Sequence, residues 1–216
     1  RRKGSLHEKL EHARTGNARL LVGTQMLAKG HDFPNLSLVG VLDTDQGLYS
    51  GDFRASEHLA QLITQVAGRA GRAEKPGEVL IQTHHPDHPL LQTLLHHGYD
   101  GFAHAALTER EQAGFPPYRH LALLRCEAIK PEAGAAFMES ARELLKGFEN
   151  QAIEVFGPLP APMEKRAGRY RMQLILQSGQ RKLLHQALQP WTQSLVNLKA
   201  GSKVRWSLDV DPYDTY

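Results

Sequence analysis

Gln65, Gly68, Arg69, Gly71 and Arg72 fall in the run "QVAGRAGR", late in a stretch whose apolar spacing predicts a helix over 54–70. Leu59, Leu62, Ile63, Val66 and Ala70 are spaced as one buried helical stripe, whereas Gln65, Arg69 and Arg72 follow each other at i, i+4 and i+7 on a second stripe, roughly 100° round. A helix interior normally avoids glycine, which costs about 1 kcal/mol relative to alanine. The absence of a Cβ at 68 and 71 lets another molecule approach the backbone. Two guanidiniums beside bare backbone suit an oligophosphate, because each offers a planar fork of donors and keeps its charge.

Elements able to hold such a helix surround it. "ARLLVGT" (18–24) reads as a buried apolar strand, and "LSLVGVLDTD" (36–45) as a strand covered on both faces. "GEVLIQT" (77–83) is a third strand between Lys-Pro-Gly and His-His-Pro, so strand and helix alternate as in a doubly wound α/β layer. A short polar helix over 5–14 precedes them, and helical patterns over 88–97 and 98–113 lead to "GFPPY" (114–118), the expected domain break. Beyond it the order becomes strand (119–129), helix (132–149), strand (152–159), strand (169–177), helix (180–197) and strand (202–210). That β-α-β-β-α-β order is the ferredoxin-like one. The expected domains are therefore residues 1–115, a lobe with trailing linker helices, and 116–216, a smaller α/β domain.

Charge separates the two parts. The chain of 216 residues carries a net +3, yet Glu164 to Trp206 holds nine Lys/Arg against one acid, so this segment is +8 and the remainder −5. An anionic partner is expected for the second part. Lys165, Arg166, Arg169 and Arg171 interleave with Tyr170, placing Arg169, Arg171 and Gln173 on one strand face and Tyr170 and Met172 on the other. The cations suit phosphates; Tyr170 suits either stacking on an unpaired base or packing beneath helix 132–149.

The motifs resemble a known family. "QVAGRAGR" resembles motif VI of superfamily 2 helicases and translocases, and "GTQMLAKGHDFPNL" (23–36) resembles their motif V. With "DFRASEHLAQLIT", "GEVLIQTHHPDHPLLQTL", "FPPY" and "GPLPAPMEKRAGRYR", the chain is identified as similar along essentially its whole length to the PriA family of bacterial primosomal replication-restart DNA helicases, also called primosomal protein N′. It departs from that family at Tyr170, where a tryptophan is expected, and at its last residues, "DPYDTY".

The resemblance implies a partial RecA-like lobe followed by an S10-like domain, and an ATP-dependent 3′ to 5′ helicase acting on abandoned forks and D-loops to begin primosome assembly. It implies Arg72 as an arginine finger on the ATP γ-phosphate, Arg69 as a companion phosphate contact and Gln65 as a sensor of nucleotide state. Gly30 and Asp32 would face ATP, and Thr24 and Gln25 the DNA backbone. Lys165, Arg166, Arg169, Tyr170 and Arg171 would contact forked or single-stranded DNA. Arg181 and Lys182, at the positive dipole end of the last helix, would receive the acidic tail of single-stranded DNA-binding protein. Other primosome proteins would be partners, no membrane would, and the protein would be a monomer in the cytoplasm, associated with the nucleoid.

ATP and Mg²⁺ would be completed by another motor lobe, since the chain has no G-x-x-x-x-G-K-[ST] loop and no Asp-Glu-x-His pair. Zinc is expected only in the family's upstream segment. The chain opens on Arg1 without a methionine or an apolar leader, which suggests a piece of something longer. An alternative reading is a non-catalytic DNA-binding or protein-docking module with an inactive motor lobe; a third is an RNA-binding protein unrelated to helicases. Several other features read as structural: lone Cys126 as a buried strand thiol, the histidines of "THHPDHP" as a solvated turn rather than a metal site, Asp43 and Asp45 as turn caps that orient motif residues, and Trp191 and Trp206 as packing.

Overall fold

A computed structural model describes residues 5–24, 33, 36–68, 70, 77–148 and 152–215. The chain divides into two compact units: residues 1–50 with 54–107, and residues 51–53 with 108–216.

In the first unit, α1 (Ser5–Arg14) is followed by β1 (Leu38–Val41), the short α2 (Asp45–Leu48), α3 (Ala55–Ala67), β2 (Glu78–Ile81) and the start of α4 (Pro89–Ala113). β1 and β2 pair in parallel, with Leu38 opposite Glu78 and Val41 opposite Ile81. The apolar stripe of α3 is used on two sides. Val66 packs with Val41, Val39 and Val79 against the sheet, while Ala60 and Ile63 pack with Leu90, Leu91, Leu94, Phe102 and Ala106 of α4. Gly98 (φ 68) breaks α4 into two helical segments at the junction expected from the sequence, because its left-handed backbone cannot continue a right-handed helix.

The strand expected over 18–24 does not form. Leu20 and Val22 are each 82% exposed and pair with neither strand of this unit's described sheet, β1-β2. Helix α3 also ends at Ala67 rather than 70, with Gly68 as its C-cap.

The second unit has the expected order: β3 (His120–Ala128), α5 (Pro131–Glu143), β4 (Ile153–Arg166), β5 (Arg169–Ser178), α6 (Arg181–Val196), a 3₁₀ turn (Lys199–Lys203) and β6 (Arg205–Val210). The antiparallel sheet runs β4-β5-β3-β6, which gives a ferredoxin-like α/β sandwich. Ala122, Leu124, Cys126, Leu174 and Leu176 face α5 and α6 and meet Phe137, Met138, Leu184, Leu188 and Trp191. Each fully buried side chain of this size contributes roughly 1.5–3 kcal/mol. Trp191 satisfies its indole by donating to Ala141 O at 2.9 Å, and Trp206 stacks on Phe137 at 6.1 Å. Burial raises the Cys126 thiol to about 11, so it is inert at neutral pH. Helix α5 stops at Glu143, six residues short of the expected end, and continues to Phe148 as turns.

β4 is longer than expected because irregular pairing after Phe156 and after Pro160 carries it on to Arg166. Gly157 makes the first irregularity possible. Its φ is 106, and a Cβ there would sit 2.9 Å from Gln173 O and 3.0 Å from Leu159 N, both backbone atoms. Gly157→Ala is expected to destabilise this unit by about 2 kcal/mol or more, read as a lower denaturation midpoint; an unchanged midpoint would refute the constraint.

Candidate functional site

The first unit concentrates its polar contacts at the carboxyl ends of β1 and β2, where open α/β sheets bind ligands. Thr44, 2% exposed, donates from Oγ1 to Gln82 O at 2.8 Å, and Gln82 N donates to Val41 O at 2.9 Å. Asp45 then ties the two strand ends together. Its carboxylate accepts from Thr83 Oγ1 and from the His84 N–H at 3.1 Å, and lies 2.6 Å from His84 Nδ1. These hydrogen bonds, that of Thr83 foremost and then those of His84, lower the Asp45 pKa from its usual 3.8 to about 2. Asp43, with φ 55, accepts from Gln46 Nε2 at 2.6 Å.

A depressed carboxylate pKa contributes stability that is present above about pH 4 and lost as pH falls towards 2. Asp45→Ala is therefore expected to lower the thermal midpoint of the first unit at pH 7 and to leave it unchanged near pH 2. Equal destabilisation at both pH values would show that the ionised carboxylate is not the stabilising form.

His84 is solvated as expected, 88% exposed, and is in addition a partner of Asp45, while Tyr49 packs edge-on against His85 and His88 at 4.7 and 5.4 Å. Among the described residues, no group of three or more His, Cys, Asp or Glu is placed to hold a metal ion. Gln65 is exposed on α3, on the side turned from the buried Ile63 and Val66. Thr24 is exposed and lies in no regular element. Gln25, Gly30, Asp32, Arg69 and Arg72 lie outside the described residues, so of the residues expected to face nucleotide only Gln65 is placed.

The second unit presents its cations on the β4–β5 hairpin. Ala167 and Gly168 form a two-residue turn, both with positive φ (49 and 76), the backbone that matches strand twist in a tight hairpin. Arg166 pairs with Arg169 and Lys165 with Tyr170 across the hairpin. Lys165 and Arg166 are exposed, and Arg169 is half-buried. Tyr170 does not take the second of its two expected roles, packing in the core beneath the helix. It is half-buried outside the apolar core, with Lys165 Nζ 4.6 Å from the ring centroid and 3.3 Å from its hydroxyl, so the ammonium covers one ring face. Arg171 is turned inward, 3.5 Å from Glu127 and donating to Met163 O at 3.4 Å. Arg181 pairs with Asp211 at 2.8 Å, while Lys182 is exposed.

Sequence reasoning missed the role of the last residues. Arg125 Nη1 donates to Asp209 Oδ2 at 2.9 Å, and Nη2 donates to Asp214 O at 2.8 Å, which pins the tail to the sheet. The signal was a lone arginine within "LALLRCEAI".

An α/β lobe with a polar latch at its strand ends, followed by a ferredoxin-like domain with a basic hairpin, defines a class. Residues 3–74 match the helicase conserved C-terminal domain family, and residues 111–213 match the primosomal protein N C-terminal domain family. The chain is a helicase-family member with a primosomal domain. It is 47% identical over 213 residues to replication restart protein PriA of Haemophilus influenzae, covering 99% of this chain and 29% of that protein. Identity to the PriA of Synechocystis is 42% over 176 residues (82% of this chain, 21% of that protein), and to that of Bacillus subtilis 39% over 213 residues (98% and 26%). The chain belongs to the PriA family of replication restart proteins and carries its C-terminal domains; it spans less than a third of the length of these relatives. Among the described residues, no helix is long and apolar enough to cross a membrane.

Proposed function

We propose that this chain is the nucleotide-responsive and DNA-engaging portion of an ATP-dependent 3′ to 5′ DNA helicase that binds abandoned forks and D-loops and starts primosome assembly. The observation that carries the reading is the basic hairpin of the second unit. Its tip places Lys165, Arg166 and Arg169 around a two-residue turn, where they reach phosphates without disturbing the core.

In this reading Arg72 and Arg69 contact ATP phosphates and Gln65 senses nucleotide state, with Gly30 and Asp32 beside them. Thr24 and Gln25 meet the DNA backbone. ATP and Mg²⁺ are held chiefly by another motor lobe, so the purified chain is expected to hydrolyse no ATP. Arg181 and Lys182 receive the acidic tail of single-stranded DNA-binding protein. Asp211 already holds Arg181 through the kind of carboxylate contact such a tail would offer, so docking would exchange one carboxylate for another. The working protein is a cytoplasmic, nucleoid-associated monomer that also meets other primosome proteins.

Fluorescence anisotropy of the chain with labelled fork and single-stranded DNA, across a salt series without nucleotide, tests the reading. Binding that weakens steeply with salt is expected, and its slope estimates the number of phosphate contacts. Absence of binding to both DNAs would overturn the nucleic-acid role of the hairpin.

A further inference from the structure

On the sheet face opposite α5 and α6, the second unit contains a cavity of about 200 Å³. Its chemistry comes from Arg125, Glu127, Arg171, Gln173, Arg205 and Ser207. Strand register brings them together: Arg125 lies between Gln173 and Ser207, and Glu127 between Arg171 and Arg205. Gln173 is only 8% exposed, and among the described residues its side-chain amide has no hydrogen-bond partner. The amide is not itself fully buried, since it borders the cavity, and it is free to donate to an oxygen seated there.

The charges at the cavity are unevenly paired. Arg125 is held by two carboxylates, Asp209 and Asp214. Arg171 is shared with Glu127, and Arg205 is exposed with no ion pair among the described residues. Three guanidiniums face three carboxylates here, so the wider set is neutral, and Arg205 is the lining cation left without a carboxylate partner among the described residues, one positive group for one anionic oxygen.

We propose that this cavity seats one backbone phosphodiester of the DNA strand held by the hairpin. Arg171 and Arg205 supply the charge, and the Gln173 amide and Ser207 hydroxyl supply neutral donors. The proposal rests on the nucleic-acid reading given above. Arg169, Arg171 and Gln173 alternate along this face of β5, each about 6.8 Å from the next, so a row of donors leads from the hairpin tip into the cavity. Glu127 sets the preference: it repels a second negative charge while leaving room for the first.

The test uses the whole 216-residue chain. Dimethyl phosphate, a diester monoanion, is titrated while the Gln173 side-chain amide is followed by ¹⁵N NMR and assigned by its loss in Gln173→Met. A saturable shift is expected, stronger than with acetate or inorganic phosphate and absent in Arg205→Ala. With single-stranded DNA, Arg205→Ala should weaken binding about five- to tenfold and reduce the salt slope by about 0.7, one contact. Gln173→Met should weaken binding with the slope unchanged, and Glu127→Gln should strengthen it. An unmoved Gln173 signal overturns the proposal. So do three variants that bind DNA like the unaltered chain while hairpin variants lose affinity, a result that leaves the hairpin reading intact. Failure of the unaltered chain to bind DNA overturns that reading, and the assignment of the cavity to a DNA phosphate falls with it.

Discussion

Arg72→Ala in the full-length protein is expected to lower DNA-stimulated ATP turnover by ~10³-fold or more, while affinity for DNA measured without nucleotide stays within about twofold. The asymmetry follows from what an arginine finger does. It stabilises charge on the phosphoryl group as that group transfers, so its loss appears in the chemical step and little in binding. Arg69→Ala should act in the same direction. Gln65 lies on the exposed side of α3, whose other sides pack against β1, β2 and α4. Parallel loss of ATP turnover and DNA affinity would show that Arg72 supports the lobe or the DNA path rather than the phosphoryl group.

Simultaneous replacement of Lys165, Arg166 and Arg169 by alanine should reduce the salt slope of single-stranded DNA binding by about 2, three contacts at roughly 0.7 each. Affinity at low salt should fall by about 10- to 100-fold. Because these residues surround a turn outside the apolar core, the thermal midpoint should barely move, which separates lost contacts from lost folding. The single variant Lys165→Ala removes a cation and uncovers the Tyr170 ring. If an unpaired base stacks there, that variant should lose less affinity than Arg166→Ala. A triple variant with the parent's slope would move the DNA contacts elsewhere on the chain.

The second domain was legible almost strand by strand, because its signals are local: an apolar run in β3, alternating residues in β5, helical patterns in α5 and α6, and a break at "GFPPY". Gly98 likewise marked the division of α4. The extension of β4 was not legible, since bulged pairing depends on the partner strand and on Gly157 fitting against the Gln173 carbonyl. Nor was the failure of 18–24 to form a strand. An apolar run becomes a strand only where a neighbour offers hydrogen bonds, and composition does not record neighbours.

By itself, the sequence determined the alternation of elements, the family, the helix preceding the two arginines and the concentration of positive charge after Glu164, all of which are written in short-range spacing. Tertiary structure alone decided the rest. It showed that Asp45 latches Thr83 and His84 across 38 and 39 residues, that Arg125 is held by Asp209 and the tail, and that Arg171, Gln173 and Arg205 converge on one cavity. The physical reason is that strand register and chain return, rather than residue type, set which polar groups share a dielectric and which charges remain uncompensated.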